Sequence, residues 1–173
     1  VKETGAGISG GVAARLQRAN VEWVDVAGLG GTSFAAVESY RATDPVGRML
    51  AGSMSDWGIP TAASVIEVVA STNLNVIASG GIRSGLDAAK CISLGARCAG
   101  MASPFLKAAR RGAGEVDRLV NLFHSQILAS MFLTGSRSVD ELRRADLVIS
   151  GWLRNWMTDR GVDPLTFSRR CRL

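Results

Sequence analysis

Histidine is almost missing from this chain: among 173 residues there is one, His124. It sits mid-way along an amphipathic stretch, where a lone histidine reads as a surface or core residue rather than a catalytic base. No pair of carboxylates stands at a spacing that suggests general acid–base work. The three cysteines, Cys91, Cys98 and Cys171, lie too far apart for a disulfide framework or zinc-ligand spacing, and the pattern suits a reducing, cytoplasmic setting. No apolar run approaches the ~20 residues of a membrane span, and the first residues show no basic-then-apolar pattern. The net charge of +5 is mostly arginine and scattered. Without an aromatic-interleaved basic stripe, it points to anionic small molecules rather than nucleic acid.

Apolar residues make up 47% of the chain, enough for a sizeable core, and one domain is the natural expectation. The most informative stretch runs from Asn75 to Ser103. Val76 to Ala78 reads as a strand buried on both faces. Gly80 and Gly81 stop it where the backbone must turn or pass close to something. A helix follows through Asp87, Ala88, Ala89, Ile92 and Leu94, and Gly95 stands where a helix ends in a left-handed residue. Cys98 to Ala102 reads as a second strand, which makes the unit βαβ and the sheet parallel. Arg83 follows the glycine pair, and Ala102 and Ser103 lie at the same end of the next strand, ahead of another helix. Arginine, glycine backbone and free N–H groups together suit a phosphate monoester. In (β/α)₈ barrels such a site commonly follows the seventh and eighth strands.

Upstream, Val1-Lys2-Glu3 reads as the end of a strand, with Lys2 able to reach a ligand pocket. Ser9 is placed to cap a helix with Val12, Ala13 and Leu16 on its inner face. Val21 to Ala27 forms the next strand, Val24 and Val26 on one side, Trp23 and Asp25 on the other. The loop Gly28-Leu29-Gly30-Gly31-Thr32-Ser33-Phe34 follows, glycine-rich and ending on an aromatic wall. Glu38 to Met54 has no clean period and is expected to be a long connection with one short helix. Asp56 to Thr61, with Trp57 read as a packing residue, leads into a helix carrying Val65, Ile66, Val68 and Val69. Downstream, Phe105 to Ala109 reads as a helix, and Glu115 to Leu133 as a long amphipathic one. Ser138-Val139-Asp140-Glu141 is a capping box opening a helix that includes Leu142 and Leu147. Trp152 to Asp159 reads as a last short helix, and Ser168 to Leu173 as a frayed, solvated tail.

The proportions are those of the second half of a (β/α)₈ barrel, an α/β fold, with a helical C-terminal extension. Residues 1–112 are assigned to the barrel half and 113–173 to the extension, packed on it. A half-barrel leaves two sheet edges open. The chain is therefore expected to be a fragment of a longer protein or to pair with another half.

Several stretches together carry a family resemblance: Val1-Lys2-Glu3, Val24 to Phe34, Asp56-Trp57-Gly58-Ile59-Pro60-Thr61, Ala78 to Asp87, Gly100-Met101-Ala102, and Met131 to Gly135. From Val1 to about Trp152 the chain resembles the carboxyl-terminal half of type 2, FMN-dependent isopentenyl-diphosphate Δ-isomerases. The Gly-Gly-Thr-Ser-Phe and Asp-Trp-Gly-Ile-Pro segments are the specific ones; the Gly-Ile-Arg unit is common to many FMN barrels. The resemblance implies interconversion of isopentenyl and dimethylallyl diphosphate with reduced FMN, Mg²⁺, and NADPH to reduce the flavin. It implies a cytoplasmic tetramer or octamer. It also implies that Lys2, Thr32, Gly81, Ile82, Arg83, Ala102 and Ser103 contact FMN and that Phe34 lies near substrate. Lys2 would face the ring and the last five residues would surround the phosphate. No side chain here is assigned as catalytic, since the flavin itself is expected to move the proton. No metal ligand is expected here either, because the family's metal-binding glutamate lies upstream of Val1. Ala27 stands where the family often has a flavin-binding serine. Two alternatives stay open. One is an FMN-dependent 2-hydroxy-acid oxidase or dehydrogenase, whose histidine base would have to precede the Gly-Gly-Ile-Arg segment; the other is a non-catalytic remnant.

Overall fold

The computed structural model describes residues 1–170. Three parallel strands, β1 (Trp23–Asp25), β2 (Asn75–Ala78) and β3 (Cys98–Ala99), lie side by side in chain order. A bridge between Lys2 and Asp25 adds the first residues as a further parallel segment beside β1. The Asp25 N–H donates to Val1 O at 2.8 Å and the Glu3 N–H to Asp25 O at 3.0 Å.

The strands form where β-branched residues alternate, and one face of them is sealed. Val24, Val26, Val76 and Ala78 are buried against Val65, Ile66 and Val68. The last three belong to α4 (Thr61–Ser71), seven of whose residues are buried. Each fully buried Val or Ile is worth roughly 1.5–3 kcal/mol, so this sheet-on-helix layer anchors the fold. The other sheet face carries Trp23, Asp25, Asn75, Ile77 and Cys98, none of them buried. On that face Trp23 and Cys98 are exposed and Asp25, Asn75 and Ile77 half-buried, and β3 pairs with no further strand among the described residues.

α1 (Gly10–Arg18) packs on α4, its Ser9 cap accepting from the Val12 N–H. The stretch from Glu38 to Met54 departs from the sequence expectation. It lies in a two-helix arm, α2 (Phe34–Arg41) and α3 (Pro45–Ser53), with no buried residue in either helix. Ser33 caps α2, and Asp44 followed by Pro45 opens α3, a start signal legible in the sequence. The period was blurred because apolar side chains point outward: Tyr40 is 89% exposed and Met49 77%. Trp57 is likewise 75% exposed, so it is not a packing residue here.

After α5 (Gly85–Ser93), capped by Ser84, Gly95 takes the expected positive φ of 116°. β3 is shorter than expected. Gly100 still donates to Ala78 O at 2.7 Å, but Met101 and Ala102 have left the ladder. α6 (Ser103–Ala109) and α7 (Ala113–Leu133) then pack on each other, and α7 lies along α5. α8 (Val139–Arg143), capped by Ser138, stops before Leu147. Bonds from Arg144 N to Glu141 O and from Ala145 N to Leu142 O close it after little more than a turn. α9 (Gly151–Asp159) is followed by a further short helix, α10 (Leu165–Ser168). The segment after Ser168 is not frayed as far as Arg170. Its guanidinium donates to Ser93 O at 2.6 Å and Arg143 O at 3.0 Å and sits 4.1 Å from the Phe167 ring centroid. Cys171, Arg172 and Leu173 lie outside the described residues.

Candidate functional site

The carboxyl ends of the parallel strands open onto a cleft of about 790 Å³. Parallel sheets place ligands at this end, because the loops leaving the strands diverge there. Lys2, Thr32, Phe34, Gly81, Ile82, Arg83, Ala102 and Ser103, scattered across the first 103 positions, all line it. His124 is exposed on α7 and does not line the cleft.

Two glycine-rich turns form the floor. The Gly80-Gly81 turn after β2 runs against the Gly28–Gly31 loop after β1. Gly28 N donates to Ser79 O at 2.8 Å, and the Thr61 hydroxyl clips Gly80 O at 2.6 Å. Arg83 leaves this turn toward solvent, touching Gly30 O at 3.4 Å, the long limit of a hydrogen bond. Among the described residues, none accepts a hydrogen bond from the backbone N–H of Gly81, Ile82, Ala102 or Ser103.

The cleft also holds a charged cluster whose links the sequence did not reveal. Lys2 Nζ lies 2.5 Å from Asp25 Oδ2 and 2.9 Å from Ser79 Oγ; Ser79 in turn donates to Asp25 Oδ1 at 2.5 Å. The same Oδ1 accepts from the Ala27 N–H at 3.1 Å. Ala27 is a non-glycine residue with positive φ, 36°. Nearby, the Glu3 carboxylate accepts from the N–H groups of Gly5 at 2.6 Å, Ala6 at 2.5 Å and Gly7 at 3.2 Å. Burial pushes its pKa up, but these backbone bonds outweigh that and hold it below the usual glutamate value. Glu3 thus pins the loop that faces Thr32 and Phe34. Glu3 is legible as a polar residue ending a strand and Asp25 as one within a strand, but only the register brings them to the cleft.

Neither described cysteine is set up as a nucleophile. Burial raises the Cys91 thiol to about 11. Burial, and then the Asp25 charge, raise that of Cys98. Among the described residues no group of three or more His, Cys, Asp or Glu side chains could hold a metal ion.

The donor set therefore has two characters. One end offers a guanidinium and unused N–H groups, suited to a phosphate. The rest of the lining, which includes the Lys2 ammonium, Ala27, Phe34 and Met101, suits a flat, partly apolar ring. These residues fit a flavin mononucleotide. Residues 13–149 match the model of the FMN-dependent dehydrogenases.

The chain belongs to the FMN-dependent dehydrogenase family.

Curated relatives that it resembles are isopentenyl-diphosphate delta-isomerases. It is 49% identical over 98% of its length to the isopentenyl-diphosphate delta-isomerase of Methanothermobacter thermautotrophicus, of which it covers 48%. The isomerases of Thermococcus kodakarensis and Halobacterium salinarum are 48% and 47% identical, each over 92% of this chain and covering 43% and 45% of theirs. The chain thus spans about half the length of the curated relatives it matches. The sequence resemblance to these isomerases is borne out. Among solved structures it is similar to a mandelate oxidase with the monooxide FMN adduct, at 26% identity and TM-score 0.61, over 86% of this chain and 41% of that one. A GMP reductase from Trypanosoma brucei superposes with TM-score 0.60 at 22% identity, over 84% of this chain and 34% of that one, a likeness of fold alone. This chain is mixed α/β with a parallel sheet, and it shares the oxidase's fold over the matched length.

Proposed function

We propose that this chain is the carboxyl-terminal half of an FMN-dependent isopentenyl-diphosphate Δ-isomerase. Residues 1–112 supply the second half of its (β/α)₈ barrel and residues 113–173 a helical extension packed on it. The single observation that carries this reading is the 46–49% identity to curated isomerases along nearly the whole chain. The unpaired outer side of β3 and the partly exposed sheet face support it too, since the rest of such a polypeptide would close both.

In this reading Arg83, with the backbone N–H groups of Gly81, Ile82, Ala102 and Ser103, holds the FMN phosphate. Lys2 and Thr32 lie along the ring, and Phe34 walls off the prenyl group and keeps water out. Reduced FMN, when bound, supplies the proton exchange that shifts the double bond between isopentenyl and dimethylallyl diphosphate without net redox change. Lys2 sets a fixed positive charge beside the ring, where it favours the electron-rich reduced state. Magnesium and the basic partners of the diphosphate are assigned to residues outside this chain, and NADPH to reduction of the flavin. A cytoplasmic tetramer or octamer completes the proposal.

The mandelate oxidase likeness favours a second reading, oxidation of a 2-hydroxy acid. Against it, no histidine lines the cleft. One assay separates the two. The full-length polypeptide that contains this chain, supplied with FMN, NADPH and magnesium, is expected to convert isopentenyl to dimethylallyl diphosphate and to leave mandelate and lactate unoxidised, and residues 1–173 alone are expected to show little or no isomerisation. Arg83→Ala is expected to weaken FMN binding about 10- to 100-fold, the worth of a charge-assisted phosphate contact. Oxidation of the hydroxy acids without isomerisation, or FMN binding indifferent to Arg83, would overturn the assignment.

A further inference from the structure

Lys2 and Asp25 form more than a surface ion pair. An exposed lysine–carboxylate contact contributes about 0–1 kcal/mol and orients little. Here the Lys2 side chain is 60% exposed, but the Asp25 side chain only 15%. Their contact is locked by a third residue, Ser79, which is 8% exposed. The bonds form a closed ring across three neighbouring chain segments: Lys2 to Asp25, Lys2 to Ser79, and Ser79 to Asp25. An ammonium has three N–H donors. Two are committed inside the ring, which leaves one for the cleft. The Ser79 hydrogen is spent on Asp25, so the serine accepts from Lys2 rather than from a ligand. Asp25 also holds the Ala27 N–H, which ties the same carboxylate to the loop carrying Thr32.

We propose that Asp25 is the positioning residue of the flavin site, acting through Lys2: with Ser79 it fixes the direction of the one remaining Lys2 N–H and tempers its charge. The inference rests on the functional reading above and adds to it a residue that touches no cofactor atom itself. The decisive property is that its effect must vanish when Lys2 is gone.

The test is a double-mutant cycle in the full chain, with FMN affinity and the midpoint potential of the bound flavin as readouts. Asp25→Asn is expected to weaken FMN binding about tenfold and to shift the potential. In a Lys2→Met background the same substitution is expected to change affinity less than about twofold, because sites in contact are non-additive. Ser79→Ala keeps the ion pair and is expected to move both readouts in the direction of Asp25→Asn, by a smaller factor; it carries the test should Asp25→Asn fail to fold. A merely structural Asp25 would weaken binding equally in both backgrounds, and that additivity overturns the proposal. So does a Ser79→Ala variant whose affinity and potential match the unsubstituted protein. An unsubstituted chain that binds no FMN sinks the functional reading and this inference with it, whereas FMN binding with an additive cycle sinks the inference alone.

Discussion

Gly80→Ala is expected to cost about 2–5 kcal/mol of stability and to collapse the flavin cradle. Gly80 has φ +100°, and a Cβ there would lie 2.0 Å from Gly28 O and 2.6 Å from Gly28 N. Both neighbours are backbone, fixed by the bond from Gly28 N to Ser79 O and by the Thr61 hydroxyl on Gly80 O. No side-chain rotation relieves the clash, so the turns after β1 and β2 must separate. The backbone strain costs about 1–2 kcal/mol and the forced displacement about 1–3 kcal/mol. Urea unfolding should show the midpoint falling by roughly 1–3 M for an ordinary m-value, with FMN affinity down at least about tenfold. Gly112→Ala is the control. Its φ is +117° but a Cβ would meet nothing within 4 Å, so it should carry the strain cost alone and leave FMN binding intact. Equal losses from the two substitutions would contradict the packing account.

The second large effect lies away from the cleft. Glu67 is 4% exposed in the middle of α4, among valines. Its carboxylate takes Arg160 in a two-pronged contact at 3.0 and 2.9 Å, Trp156 Nε1 at 2.9 Å and the Gly10 N–H at 2.9 Å. One carboxylate thus ties α1, α4 and α9 together. Glu67→Gln places an amide N–H₂ against these donors and leaves at least one unsatisfied, a loss of about 2–4 kcal/mol at neutral pH. Burial alone would raise the Glu67 pKa. The bonds from Arg160, Gly10 and Trp156 and the Arg160 charge outweigh it and set the net shift downward from 4.5. The unfolded chain therefore binds the proton first, and stability rises with pH in that range. The contribution is present above about pH 4.5 and lost as pH falls through the lowered folded value. Below pH 4.5, Glu67→Gln should flatten the stability profile without abolishing its slope, because Glu3 is shifted the same way. An unchanged profile would show that Glu67 titrates as a solvated carboxylate.

How much of this was legible in the sequence follows from what periodicity records. The βαβ unit from Asn75 to Ala99 and the buried helix at Val65–Val68 were readable because one face is sealed, and a sealed face imposes a period. The arm of α2 and α3 was half missed for the converse reason: nothing in it is buried, so its apolar residues follow no face. The cleft was readable residue by residue because glycine pairs, an arginine and a lysine ended strands. The ring of Lys2, Asp25 and Ser79 was not. Its members stand 23 and 54 positions apart and meet only through strand register. Glu67 was similar: a lone acid in a valine-rich helix signals a buried pair, but its partners lie 89 and 93 positions downstream.

The most direct measurement is the electron density of bound FMN in crystals of the full chain. The phosphorus is expected between the Arg83 turn and the start of α6, its oxygens within hydrogen-bond distance of the guanidinium and of the Ala102 and Ser103 N–H groups, with Lys2 against the ring. A phosphate density elsewhere, or a flavin with its ring at Arg83 and its tail at Lys2, would contradict it.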